Sequence, residues 1–169
     1  IGSAVGSFAG AVRAVNKLPL LVAYNMYGRD ACGGQSPGGA ASPSEYANWI
    51  GAFASGIGDR PAVIVLEPDS LGDYSCMSQD KINERQNVII NALSQFRSKA
   101  PNAWVCLDAG NPGWIDASTM AEHLHAAGLS QAALAGNGTS LTTTAGIATE
   151  IVRRIGTTGT FKLTGPPTA

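Results

Sequence analysis

The chain has 169 residues, 44% of them hydrophobic and 14% charged, which is the balance of a soluble domain with one packed core. Its formal net charge of -1 excludes the basic footprint of a nucleic-acid or anionic-membrane binder and points to a neutral ligand. No apolar run approaches the roughly 20 residues of a membrane-spanning helix.

Ile1 to Lys17, rich in small residues with Arg13 inside, reads as an amphipathic helix and not as a signal peptide. A chain starting at Ile1 is read as a processed or partial product, which leaves secretion open. Leu18 to Tyr24 is the first short apolar run with the continuity of a parallel-sheet strand buried on both faces. A helix follows from Ser42-Pro43-Ser44-Glu45 to about Ile57: Ser42 can cap the free amides, Pro43 suits the first helical position and Glu45 can reach back. Ala62 to Leu66 is the second strand.

The next helix carries Ile82, Ile89, Leu93 and Phe96 on one face and ends near Lys99, before Pro101. Ala103 to Leu107 is the third strand, and a helix from about Ala117 to Ala127 stops at Gly128. Gln131 to Thr144 is rich in Gly, Ser, Thr and Asn, and no strand is assigned there. Ala145 to Ile155 reads as one more helix, and Thr157 to Ala169 as frayed or linker-like. Trp49 and Trp104 are assigned to the core, and His123 and His125 to ordinary surface or partly buried positions.

Alternating strands and helices imply right-handed crossovers and a parallel α/β sheet or barrel. A closed barrel of this kind takes about 250 residues, so three strands cannot close one, and the chain is expected to lack strands. Cys32, Cys76 and Cys106 have no metal-binding spacing. Cys32 and Cys76 lie in loop sequence and Cys106 in a strand. Either one loop disulfide with one buried thiol, or three thiols in a reducing compartment, fits that placement.

In parallel α/β folds the site forms beyond the carboxyl ends of the strands. The first strand runs into Asp30, the second into Glu67-Pro68-Asp69 and the third into Asp108, so all three end in acid. Carboxylates on one rim without matching histidines or lysines suit two chemistries. One is a hard cation such as Mg2+. The other is glycosidic cleavage, in which one carboxyl group stays protonated while another activates water or attacks. The bland alternative is that these acids cap helices or pair with Arg29 and Arg60. A Mg2+ or phosphotransfer enzyme lacks its Gly-rich loop with Lys and Ser/Thr. Tyr24 and Trp114 on the same rim suit a sugar, whose apolar faces stack on aromatic rings.

Val63-Ile64-Val65-Leu66-Glu67-Pro68-Asp69-Ser70-Leu71-Gly72 is similar throughout to the second signature of glycoside hydrolase family six, the cellobiohydrolases and endoglucanases that cut β-1,4-glucan with inversion. Val22 to Asp30 resembles its first signature, followed by a Gly/Ser-rich loop and a helix with Tyr46 and Trp49. Leu107-Asp108-Ala109-Gly110 through Trp114 resembles a third segment. The resemblance covers about residues 18–128 and weakens over 129–169.

It implies a parallel (β/α) barrel of the distorted cellulase type, present in part, with residues 1–169 a partial catalytic domain. Asp69 corresponds to the acid that protonates the leaving oxygen, Asp30 to the carboxylate that keeps the proton there and helps order water, and Asp108 to their support. Tyr24 corresponds to the tyrosine that distorts the sugar, and Trp114 to a stacking platform. Arg29, Ser36, Asn111 and Asn137 fall at substrate contacts, and Cys32 with Cys76 at a disulfide. The expectation is a secreted monomer acting on β-1,4-glucan, with neither cofactor nor metal.

The pattern departs from the family at three points. Tyr27 stands for a proline, Ala31 separates Asp30 from Cys32, and Asn111 replaces a histidine. The family's second disulfide, its proposed base aspartate and a lysine- and glutamate-bearing motif have no counterpart after Gly128. A non-catalytic carbohydrate-binding homologue is the competing expectation.

Overall fold

A computed structural model of the chain describes residues 1–110, 113–129 and the short strand 133–135. The elements run α1 (Gly2–Ala14), β1 (Leu20–Ala23), α2 (Pro43–Ile57), β2 (Ala62–Leu66), α3 (Gln79–Lys99), β3 (Ala103–Asp108), α4 (Ala117–Ala126) and β4 (Ala133–Ala135). The strands form one parallel sheet in the order β1-β2-β3-β4. Each strand lies beside its predecessor, so every crossover winds the same way, and the strand ends that lead into loops share one rim.

The helix starts follow their local chemistry. Ser42 Oγ accepts the Glu45 amide at 3.2 Å, Pro43 takes the first helical position, and the Glu45 carboxylate accepts the Ala41 amide, one residue upstream of the expected partner. Asp116 caps α4 by accepting from the Ser118 and Thr119 amides. Gly128 follows α4 with φ +87, a conformation that suits glycine.

Residues in register on parallel strands point to the same face. Ile64 pairs with Leu21 and Val105, and Leu66 with Ala23 and Leu107. This face packs against Ile50, Phe53 and Ile57 of α2 and Ile89, Leu93 and Phe96 of α3. An aromatic run ties the two helices: the Trp49 and Phe53 ring centroids lie 5.5 Å apart, and Phe53 meets Phe96 edge-on at 6.0 Å. α1 approaches α2 through glycines, and a side chain at Gly56 would run into the Gly2 carbonyl.

Three expectations need correction. The strands are not buried along the whole of both faces: on the second face Leu20, Val22 and Trp104 are more than half exposed, whereas Cys106 and Asp108 of β3 on that face are buried. Trp104 therefore does not belong to the core, because the alternation along β3 turns it away from the helices while Val105 and Leu107 turn inward. The sheet also has a fourth strand beyond the three expected, β4, whose Ala-Leu-Ala carries no β-branched signal and whose ladder comes from pairing with Cys106 to Asp108. Asn111, Asn137 and the expected helix Ala145 to Ile155 lie outside the described residues.

Candidate active site

A cleft of about 650 Å³ opens at the carboxyl ends of β1, β2 and β3, and its lining includes Tyr24, Arg29, Asp30, Ser36, Asp69 and Trp114. This volume suits a small-molecule or oligosaccharide subsite. Residues distant in sequence reach it because each follows a strand of the same sheet.

The loop after β1 folds on itself around Ser36. The Tyr24 hydroxyl and Ser36 Oγ are 2.8 Å apart, and Arg29 Nε donates to the Ser36 carbonyl. The guanidinium carbon sits 4.5 Å from the Tyr24 ring centroid, and Nη1 donates to the Tyr24 carbonyl. Asp30 accepts the Ser36 amide at 2.5 Å. Tyr24, Arg29, Asp30 and Ser36 thus form one wall of the cleft.

Asp69 comes from the loop after β2. Its backbone is left-handed at φ +68, as is that of Asp30 at φ +52 and Glu67 at φ +46. Such conformations cost non-glycine residues energy and persist only where the surroundings hold them. Asp108 does the holding, its Oδ2 accepting the Asp69 amide at 2.8 Å and the Gly110 amide at 2.9 Å. Opposite, the Trp114 ring rests on backbone at Gly72 and Gly110, where an added side chain would press into its Cε3. The ring is 52% exposed, leaving area for a flat apolar partner.

The four strand-end acids do not form a single cluster. Asp30 and Asp69 line the cleft, whereas Glu67 and Asp108 are buried at 1% and 4% exposure. Glu67 accepts the Asn25 amide at 2.9 Å and the Met26 amide at 2.8 Å, fastening the start of the β1 loop to the end of β2. Burial raises its pKa to about 7 against the opposing pull of those amides. Burial likewise raises Asp108, and the charge of Asp69 adds to the rise.

A glutamate with its folded pKa above the ordinary 4.5 binds more protons folded than unfolded between those values. Thermal stability is therefore expected to fall as pH rises from about 4.5 to about 7, with a slope of at most about 1.4 kcal/mol per pH unit. Melting curves of the wild type and of Glu67→Gln check this. The variant should show the shallower dependence, and a wild-type stability that rises across the window would contradict the assignment.

Cys32 and Cys76 are joined with their Cα atoms 5.4 Å apart, and Cys106 is a buried free thiol. The bridge joins the loops after β1 and β2 at the edge of the cleft. Asp73 also lines the cleft, and it accepts the Cys32 amide at 3.1 Å. No local pattern marked Asp73, since nothing in its loop sequence says which way its side chain turns. His123 is tied to the scaffold, its Nδ1 2.8 Å from the Leu71 carbonyl and its ring 4.4 Å from that of Tyr74.

Parallel strands in one sheet, helices packed on one face and a carboxylate and aromatic cleft at the strand ends are the features of part of a (β/α) barrel of the cellulase type. Residues 2–153 match the family described as Glycosyl hydrolases family 6, and the chain belongs to that family. It is 63% identical over 132 residues to endoglucanase 1 of Streptomyces halstedii, covering 78% of this chain and 41% of that protein. It is 40% identical over 130 residues to endoglucanase A of Thermobispora bispora, covering 76% of this chain and 28% of that one. The chain thus spans less than half the length of these relatives. The endoglucanase Cel6 of Mycobacterium tuberculosis, solved with methyl-cellobiosyl-4-deoxy-4-thio-β-D-cellobioside, superposes with a TM-score of 0.83 at 32% identity. That superposition covers 95% of this chain and 55% of the other.

Proposed function

We propose that the polypeptide carrying this sequence hydrolyses β-1,4-glucosidic bonds of cellulose or a related β-glucan with inversion, with Asp69 as the general acid. The observation that carries the reading is the placement of Asp69 in the cleft. Its backbone is pinned by Asp108, Asp30 shares the cleft, and Tyr24 and Trp114 supply aromatic walls. Asp69 donates its proton to the leaving glycosidic oxygen as that C–O bond breaks, while water attacks the anomeric carbon from the opposite face of the ring and releases its own proton to solvent. Asp30 helps order that water. Tyr24 crowds the sugar at the cleavage point, and Trp114 stacks a neighbouring ring. Arg29, Ser36, Asn111 and Asn137 hydrogen-bond the glucan.

The endoglucanase names of the relatives and the cellobioside-derived ligand in the Mycobacterium tuberculosis structure support a β-glucan substrate. The disulfide suits an oxidising, extracellular setting, in which the protein acts as a monomer.

Proton NMR of a cello-oligosaccharide during its first minutes with the full-length polypeptide tests the proposal. The new reducing ends are expected in the α configuration before mutarotation. β ends appearing first would contradict inversion, and the absence of new ends alongside retained sugar binding would favour a non-catalytic homologue.

A further inference from the structure

Arg85 on α3 is 2% exposed, the one fully buried base among the described residues. It stands on the apolar stripe of its helix, between Ile82 and Ile89, where an aliphatic side chain would complete the pattern. Its Nη2 donates to the Gly28 carbonyl at 2.7 Å, and its Nη1 donates to the Ser70 carbonyl at 3.4 Å. Nη1 also lies 3.8 Å from Asp73 Oδ2, and Asp73 in turn holds the Cys32 amide.

These partners have a pattern. Gly28 lies two residues before Asp30, Cys32 two residues after it, and Ser70 directly follows Asp69. One planar group thus grips the chain beside Asp30 and beside Asp69, and a guanidinium fork fixes the spacing between its partners in a way that a flexible ammonium cannot. Stability alone does not account for it. Its Nε has no hydrogen-bond partner, and a buried ion pair is commonly matched or bettered by an apolar side chain of similar volume.

We infer that Arg85 is a positioning residue for the hydrolysis, setting the separation of the loops that carry Asp30 and Asp69. The inference rests on the reading of Asp69 as the acid. It assigns Arg85 no contact with substrate, so the residue acts on turnover through loop geometry and leaves sugar binding largely intact.

The test compares Arg85→Lys and Arg85→Met with the wild type and Asp69→Asn in the full-length polypeptide, measuring kcat and KM on a soluble β-1,4-glucan alongside thermal melts. Arg85→Lys is expected to melt cooperatively and to lose roughly 10- to 100-fold in kcat, the scale of an ångström-sized misplacement, with little change in KM. Arg85→Met should lose at least as much; if it does not fold, Arg85→Lys decides. Wild-type kcat in a folded Arg85 variant would overturn the inference. So would a loss of activity that only follows the folded fraction. Full activity in Asp69→Asn would instead overturn the acid assignment underneath, which the Arg85 variants alone cannot do.

Discussion

Asp69→Asn is expected to lower kcat on unactivated β-1,4-glucan by about 10² to 10⁴, the usual contribution of a positioned general acid. The substitution isolates the proton. Asparagine tolerates the left-handed backbone that residue 69 adopts, at φ +68, better than most residues do. The Asp108 carboxylate still receives the same backbone amide, and the side chain keeps its size. Titration calorimetry with a cello-oligosaccharide should therefore show binding within a few-fold of wild type. Alanine would be a poorer probe, because it adds backbone strain of order 1 kcal/mol to the loss of the acid.

The second large effect concerns the bridge between Cys32 and Cys76, which closes a sequence separation of 44 residues. In the chain-entropy account a loop of that length is worth about 4 kcal/mol, of which measured cases commonly deliver 2–4. The double variant Cys32→Ser, Cys76→Ser should therefore melt several degrees below the wild type, and reductant should lower the wild type but not the variant. Asp73 still holds the Cys32 amide after the bridge is gone, so the edge of the cleft is loosened but keeps one tie. An unchanged melting temperature would show that the bridge does not constrain the chain.

Much of this was legible in the sequence because strand ends are easy to locate. Three apolar runs ending in acids led directly to Asp30, Asp69, Tyr24 and Trp114 on one rim, where the structure places them. Depth was not legible. Glu67 and Asp108 also follow strands, but a left-handed turn at Glu67 accompanies its burial against the Asn25 and Met26 amides, and Asp108 is still within β3 on its buried stretch. Trp104 shows the converse. A continuous apolar run does not say which sheet face the helices cover, and alternation put this tryptophan on the open side. Arg85 did leave a signal: a charged residue three positions after Ile82 and four before Ile89 interrupts an apolar stripe. The tertiary partners that give it meaning lie 15 and 57 residues away.

The most direct test of the central claim compares Asp69→Asn on two substrates of the full-length polypeptide. One is an unactivated cello-oligosaccharide. The other is a cellobioside with a dinitrophenolate leaving group, which departs without being protonated. If Asp69 supplies the proton, the variant loses about 10² to 10⁴ in rate on the first and no more than about tenfold on the second. Equal losses on both, or full activity on the unactivated sugar, would contradict the claim that Asp69 is the acid.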